Sequence, residues 1–151
     1  MRVIVDSREQ KGWSFRGQPS VTLIKKKLET GDYSLEGYED RVAIERKSLD
    51  DLIGTLTTGR QRFFAELERM RSYEVRTVVV EASIRQIEAA DYRSQMKPAA
   101  ILGFLGEIQI NQFCPVQLVG SRAEAQIFTY HLLRAAQKFC ASRLPDSAQQ
   151  V

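Results

Sequence analysis

Apolar positions follow two different periods along the chain, and the segments with each period alternate. Runs that are alternating or continuously apolar predict strands near residues 2–6, 21–26, 32–36, 41–47, 75–81 and 115–119. Apolar residues spaced three and four apart predict helices between them, with stripes at Phe63, Leu67 and Met70, at Ile101, Leu105 and Ile108, and at Phe128, Leu132, Ala135 and Phe139. This alternation predicts an α/β fold, with helices layered on a sheet.

Local capping signals mark where the helices begin. A Ser or Thr followed three residues later by Glu or Gln forms a capping box, and three occur, at Thr58…Gln61, Ser83…Gln86 and Ser121…Glu124. Pro98 suits the first turn of a further helix. Ser48 also fits an N-cap, which would place Asp51 near the third helical position.

Length and composition indicate one globular domain. The 151 residues are 43% hydrophobic, so the chain can bury a core, and we expect a folded domain over residues 1–144 with a flexible polar tail at 145–151. A net charge of +3 and a pI near 9.0 suit a polyanionic partner. Cys114 and Cys140 lack metal-ligand spacing, which favours reduced thiols. With no signal peptide and no apolar stretch of membrane-spanning length, we expect a cytoplasmic protein without membrane contact.

Charged residues concentrate around a predicted hairpin. Residues 33–36 and 41–44 read as strands around a four-residue loop, and this register places Asp32 opposite Glu45. Two-residue alternation then puts Lys47 on the face of Glu45 and Arg46 on the other face. Two carboxylates about 4 Å apart repel by about 4 kcal/mol at an effective dielectric constant of 20. A positive charge is therefore expected between them.

A divalent cation is the simplest source of that charge. Magnesium binds one or two carboxylates, waters and substrate phosphate. Beside such an ion, the Lys47 ammonium could orient an attacking water or stabilise negative charge on a phosphate. The pattern therefore predicts phosphodiester hydrolysis, whereas the alternative is a solvated strand followed by an ordinary helix start.

The complete string resembles a known family signature. Gly31-Asp32, followed by Glu45-Arg46-Lys47-Ser48-Leu49-Asp50-Asp51, looks like the GDx(n)ERKx3D motif of XPF-type structure-specific DNA endonucleases, in the PD-(D/E)xK restriction-endonuclease-like superfamily. The segment at 3–9, with Asp6, is similar to the family's first strand and acidic DxRE motif, and Gly59-Arg60-Gln61-Arg62-Phe63 falls where the family carries a basic residue and a glutamine. The resemblance covers about residues 1–140. It implies a central mixed β-sheet flanked by helices.

The resemblance also implies roles for individual residues. The catalytic set would be Asp32, Glu45, Arg46, Lys47 and Asp51, and the metal ligands would be Asp6, Asp32, Glu45 and Asp51. Arg46, on the opposite strand face, could instead anchor Glu9 or Asp6. Glu9 and Glu81 are further site candidates, with Glu81 expected at the end of a buried central strand.

Several basic and polar residues are candidates for DNA binding: Arg8, Lys25, Lys27, Arg60, Gln61 and Arg62. Cations at a helix start oppose the helix dipole, which favours a phosphate-facing role for Arg60 and Arg62. Each candidate has a structural alternative, because Arg8 could pair with Glu9, Gln61 completes a capping box, and the lysines could end a solvated strand. Trp13 and Phe15 could stack on a base, although packing explains them as well.

The resemblance therefore implies a Mg²⁺-dependent DNA endonuclease, with Mn²⁺ as a substitute, acting on branched, flapped or forked DNA with single-strand/double-strand junctions. The alternative is a non-cleaving DNA-binding or scaffold subunit of a repair or recombination complex. We expect a homodimer, or a separate DNA-binding or helicase partner, if the last two apolar helix stripes are exposed. The protein would be DNA-associated in the cytoplasm, or nuclear in a eukaryote.

Overall fold

A computed structural model describes residues 1–143, so the tail predicted at 145–151 lies outside the described residues. The strands are β1 (Arg2–Asp6), β2 (Thr22–Lys26), β3 (Tyr33–Leu35), β4 (Val42–Ser48), β5 (Val75–Glu81) and β6 (Val116–Leu118). The α-helices are α1 (Leu49–Gly54), α2 (Arg60–Met70), α3 (Ile84–Glu88), α4 (Pro98–Asn111) and α5 (Arg122–Ala141), and a π-helical turn at Thr55–Gly59 joins α1 to α2.

The six strands form one mixed sheet in the order β2-β1-β3-β4-β5-β6. Strand β3 pairs antiparallel with both β1 and β4, whereas the pairs β1/β2, β4/β5 and β5/β6 are parallel. All six predicted strands are present, with ends that differ from the prediction by at most one residue. The predicted mixed sheet flanked by helices is confirmed.

Each face of the sheet carries its own hydrophobic core. The front core packs Ala43, Val78 and Val80 of the central strands against helices α1, α2 and α4. The back core packs Ile44 and Val79 against helix α5 and the aromatic residues Trp13, Phe15 and Tyr33. Trp13 and Phe15 are 1% and 2% exposed, so they pack inside the domain and present no ring to a DNA base. Because side chains alternate along β4, Glu45 and Lys47 lie on the front face with Ala43, and Arg46 lies on the back face with Ile44.

The predicted apolar stripe of helix α5 is displaced by one position. The buried face consists of Ala125, Thr129, Tyr130, Leu133, Ala136 and Cys140. Of the predicted residues, Phe128, Leu132 and Phe139 lie partly buried at the edge of the back core, and Ala135 is exposed. The predicted stripe therefore borders the buried face and does not form its centre, because four of the six buried residues are small and carry no strong hydrophobic signal: Ala125, Thr129, Ala136 and Cys140.

The α4 stripe is buried within the domain, since Ile101, Leu105 and Ile108 are at most 4% exposed. This removes α4 from the reasoning that led to the homodimer, which required an exposed stripe. Exposed apolar side chains lie instead at Ile110 and Phe113, after that stripe. No helix in residues 1–143 is both long enough and apolar enough to cross a membrane.

Two of the three helix starts predicted from capping boxes are confirmed, and one is wrong. Ser83 and Ser121 accept hydrogen bonds from the backbone N–H groups of Gln86 and Glu124. Thr58 does not cap helix α2; its hydroxyl donates to the Gly54 carbonyl, because the backbone stays helical from α1 through the π turn. Helix α2 therefore has no free N-terminus.

Candidate active site

The β3–β4 hairpin brings the predicted acidic residues together. Tyr33 pairs with Ile44, as the predicted register requires, and the next residues outward along the two chains are Asp32 and Glu45. Gly31 enters the hairpin with φ +78°, and a Cβ at this position would lie 3.3 Å from both the Ala43 Cβ and the Ile44 carbonyl oxygen. Glycine therefore allows the chain preceding Asp32 to lie close against β4.

Asp32 and Glu45 line two adjoining recesses on the front face, which also share Arg8 and Glu9. The recesses have volumes of about 300 and 330 Å³. Asp32 is held by the backbone N–H of Arg46, which donates to its Oδ2 at 2.8 Å. Glu45 is 4% exposed, and its Oε2 atom is buried without a hydrogen-bond partner among the described residues.

Both carboxyl groups bind protons more tightly than usual. Burial raises the pKa of Asp32 to about 7, and repulsion from Glu9 and Glu66 adds to the effect. Burial also raises the pKa of Glu45 well above its ordinary value, with repulsion from Asp32 and Glu66 as further causes. Two buried acids side by side need a compensating cation to ionise together.

Lys47 lies on the front face, as predicted. Its Nζ is 3.8 Å from Glu45 Oε1 and 4.7 Å from the centroid of the Phe63 ring. The side chain is 16% exposed. The ring of Phe63 and the carboxylate of Glu45 therefore hold the ammonium at the edge of the recess that contains Asp32.

Asp51 reaches the same region from helix α1. Ser48 caps this helix by accepting a hydrogen bond from the Asp51 N–H at 3.2 Å, so the predicted cap is confirmed. Asp51 is exposed and lines the rim of the recess shared by Asp32, Glu45 and Lys47. The structure thus brings all four motif residues to one recess.

Asp6 is fully occupied by local partners. Its two carboxylate oxygens accept hydrogen bonds from the Arg8 N–H, the Arg8 guanidinium and the Leu28 N–H, at 2.8 to 2.9 Å. Burial alone would raise the pKa of Asp6, but these hydrogen bonds outweigh it and lower the pKa below its ordinary value. Arg8 pairs with Asp6 and not with Glu9. A metal-binding role for Asp6 would require it to exchange these partners.

Arg46 points to the back face, behind the acidic recess. Its guanidinium donates to both oxygens of Glu81, at 2.7 and 3.2 Å, and lies 3.6 Å from Glu9. Trp13 Nε1 also donates to Glu81, at 2.7 Å, and Arg122 approaches the same carboxylate. This agrees with the expected anchoring of Glu9, which lines the recess together with Arg46, and it places the Arg46 guanidinium in an ion network with Glu81.

Three of the six DNA-binding candidates line the acidic recess or the hollow beside it. Arg8 and Arg62 line the recess of Asp32 and Glu45, and Lys27 lines an adjacent hollow of about 540 Å³ that also contains Arg8. Arg60 instead pairs with Glu107 of helix α4 and lies over the rings of Phe64 and Phe104. The dipole argument for Arg60 and Arg62 was therefore wrong, because the helix has no free start there.

The remaining two candidates lie away from the recess lining. Lys25 pairs in register with Val5, a residue of the back core. Gln61 is exposed beside Arg60 and lines neither of the two recesses.

Glu66 is a site residue that the sequence reasoning missed. It lines the recess of Asp32 and Glu45, and its Oε1 accepts a hydrogen bond from the Gly31 N–H at 3.2 Å. Arg62, Glu66 and Arg69 all line this recess, at the i, i+4 and i+7 positions of one face of α2. That polar stripe beside the apolar stripe of Phe63 was the available signal.

The donor set fits a hard divalent cation. Within residues 1–143, no three acidic, His or Cys side chains converge into a ready-made metal cage. Mg²⁺ nevertheless needs only one or two protein carboxylates when waters and substrate phosphate complete its shell. The unpartnered Glu45 Oε2, buried beside Asp32, is the atom that such an ion would satisfy.

Fold and site together define an α/β domain with an acidic recess and an adjacent lysine, the arrangement of a nuclease domain. The chain belongs to the ERCC4 domain family, whose profile matches residues 5–132. The predicted XPF-type resemblance is thereby confirmed. No curated protein matches the sequence.

Solved structures agree with this family. The fold is similar to XPF from Aeropyrum pernix, with a TM-score of 0.71 and 25% identity over 99% of this chain and 69% of that one. It is also similar to XPF from Aeropyrum pernix in complex with DNA, with a TM-score of 0.64 and 25% identity over 91% of this chain and 65% of that one. This chain therefore corresponds to about two thirds of the length of those proteins.

Proposed function

We propose that this protein is a divalent-metal-dependent DNA endonuclease that hydrolyses phosphodiester bonds in branched, flapped or forked DNA. The observation that carries the proposal is the recess in which Asp32 and the unpartnered Glu45 carboxylate lie beside Lys47. Membership of the ERCC4 family and the similarity to an XPF structure with DNA support the substrate class.

Asp32 and Glu45 would hold the cation, which is Mg²⁺, with Mn²⁺ as a substitute. When bound, the cation would stabilise negative charge on the phosphate and lower the pKa of water. Asp51 contributes a further carboxylate at the rim. Both buried acids must lose their protons for this role, so activity should rise with pH as Asp32, whose pKa is about 7, ionises.

Lys47 supplies the remaining positive charge. Its ammonium is held between Glu45 and the Phe63 ring, which limits its freedom without removing it from the recess. It can therefore orient an attacking water or donate to a phosphate oxygen at a fixed position. Loss of one such preorganised donor reduces enzyme rates by about 100- to 1000-fold in comparable sites.

The test is a cleavage panel of flap, fork, nicked and linear DNA with Mg²⁺, Mn²⁺ or EDTA. We expect the wild type to cut branched substrates with either metal, and Asp32→Asn and Lys47→Ala to lose at least about 100-fold in rate. Asp40→Asn, an exposed acid of the same hairpin, and Lys138→Ala, on α5, are the matched controls. Undiminished cleavage by both site variants would refute the catalytic assignment. Binding of branched DNA without cleavage by any variant, wild type included, would identify a scaffold subunit.

A homodimer is a further part of this proposal, and it would have to form through α5, where Phe128, Leu132 and Phe139 are only partly buried, since the α4 stripe is buried. Light scattering at micromolar concentration should give twice the chain mass of 17.2 kDa. A monomeric mass would refute the homodimer and leave a separate DNA-binding or helicase partner as the alternative.

A further inference from the structure

Helix α2 places a third carboxylate against the two acids of the recess. Glu66 lines the same cavity of about 300 Å³ as Asp32 and Glu45. Two contacts with the preceding loop fix its position: the Gly31 N–H donates to Oε1 at 3.2 Å, and the Thr30 hydroxyl donates to the Glu66 carbonyl at 3.3 Å. Glu66 is therefore held in place beside the motif residues by the loop that leads into Asp32.

The cavity contains an unsatisfied acceptor next to this carboxylate. Glu45 Oε2 is buried without a hydrogen-bond partner among the described residues, and Glu45 Oε1 is 3.8 Å from Lys47. Buried polar atoms normally have partners, and the Glu45 carboxyl group can gain one either by sharing a proton with Glu66 or by binding a cation.

A purely structural role does not explain the charge of Glu66. The hydrogen bond from Gly31 N–H needs only a carbonyl-type oxygen, which a glutamine would supply equally well. A glutamate gains nothing from the Gly31 contact that the neutral amide would lack, and its side-chain contact with Glu45 needs a shared proton or a cation to offset the repulsion between the two carboxylates. A divalent cation in the recess would turn this net repulsion into attraction, because the positive ion attracts all three carboxylates.

We infer that Glu66 is an outer-shell carboxylate of the divalent-cation site, a positioning residue that acts with Asp32 and Glu45 through the waters bound to the cation. The inference rests on the proposed function and adds to it a residue from outside the hairpin motif. Removal of outer-shell partners typically weakens metal affinity 10- to 100-fold. We expect a loss of this size for Glu66→Gln.

The test is calorimetric titration of Mn²⁺ into the wild type, Glu66→Gln and Glu68→Gln in the absence of DNA. Glu68 lies on the same helix, is exposed and pairs with Arg71, so its variant controls for loss of one helix charge. We expect Glu66→Gln to bind Mn²⁺ 10- to 100-fold more weakly, and Glu68→Gln to bind it within twofold of the wild type. Equal affinity of Glu66→Gln and the wild type would overturn the inference and leave the proposed nuclease intact.

Urea unfolding of the same variants without metal separates the cation role from a structural one. Because Glu66→Gln keeps the Gly31 contact and removes repulsion, we expect it to be at least as stable as the wild type at pH 7.5. Lower stability of Glu66→Gln with unchanged Mn²⁺ affinity would show that Glu66 only stabilises the fold, and this would overturn the inference. If the wild type binds no Mn²⁺, the proposed metal dependence fails together with this inference.

Discussion

Asp32 and Glu45 show how a functional site costs stability. Desolvation in the recess is the largest cause that raises the pKa of both carboxyl groups; repulsion from Glu9 and Glu66 adds to the effect on Asp32, and repulsion from Asp32 and Glu66 adds to the effect on Glu45. Without a cation, ionisation of these groups opposes folding. The same repulsion prepares the recess for a divalent ion.

Neutralisation of Asp32 should stabilise the metal-free protein at neutral pH. Because the folded-state pKa of Asp32, about 7, lies above its ordinary value of 3.8, the metal-free protein should lose stability as the pH rises from about 4 to 7. Asp32→Asn should therefore raise the free energy of unfolding at pH 7.5 by about 1–3 kcal/mol, after allowance for solvent access. Urea titrations at pH 4 and pH 7.5 in EDTA check this, and the gain should disappear at pH 4. A variant less stable than the wild type at pH 7.5 would contradict the pKa assignment.

The pKa of Asp6 is shifted downwards, in the opposite direction to that of Asp32. Hydrogen bonds from Arg8 and Leu28 lower its folded-state pKa, so its contribution is present at neutral pH and is lost as the pH falls below about 4. Asp6→Ala leaves these donors without their acceptor, and we expect a loss of about 2–4 kcal/mol at pH 7.

Denaturant unfolding of Asp6→Ala measures that loss. The Mn²⁺ affinity of the milder variant Asp6→Asn tests the metal-binding role that the family resemblance implies. A normal affinity would identify Asp6 as a structural residue of the site. A large loss of affinity with little loss of stability would show that Asp6 leaves its present partners to bind the cation.

At the scale of elements, helix α2 carries two arginines with different surroundings. Arg62 lines the acidic recess, whereas Arg60 is tied to helix α4 through Glu107 and two aromatic rings. Only a guanidinium that is free of such partners can replace counterions on a DNA phosphate at little cost. The pair therefore offers a matched comparison within one helix.

We predict that Arg62→Ala weakens DNA binding and lowers the slope of log affinity against log salt by about one. Arg60→Ala should leave this slope unchanged, because its loss affects the contact between α2 and α4. Fluorescence anisotropy of a labelled fork, measured between 50 and 200 mM salt with Ca²⁺ in place of Mg²⁺, provides the measurement. Equal slopes for Arg60→Ala and Arg62→Ala would show that the surroundings do not distinguish the two arginines.

Element ends were well predicted where a local signal determines them. Ser48, Ser83 and Ser121 cap their helices as expected, because a hydroxyl and the N–H three residues later form a contact within one turn. The capping box at Thr58 failed because the preceding residues continue the helix through the π turn. The capping pattern cannot show that the helix continues, since Ser or Thr marks a helix N-terminus only when the residues before it are not helical.

For the whole molecule, the cation site couples metal binding to folding. A ligand that binds only the folded state stabilises it, by about 2.7 kcal/mol at a hundred times its dissociation constant. Deprotonation of Asp32, with its pKa of about 7, must accompany binding, so the effect should be larger at pH 8 than at pH 6.

Thermal unfolding with saturating Mn²⁺, compared with EDTA, tests this coupling. We expect a higher Tm with metal, a larger increase at pH 8 than at pH 6, and no increase in the double variant Asp32→Asn/Glu45→Gln. An increase of the same size in the double variant would place the metal elsewhere on the protein.

The sequence alone determined the strands, most helix starts, and the meeting of Asp32, Glu45 and Lys47, because a two-residue strand period and a short hairpin act over a few neighbouring positions. Tertiary structure decided what approaches that hairpin from distant segments. It brought Glu66 to Glu45 on the front, tied Arg46 to Glu81 behind it, occupied Asp6 with Leu28 and turned Arg60 toward Glu107. These pairings depend on the docking of separate elements onto the sheet, and local periodicity contains no information about which charged residues that docking brings into contact.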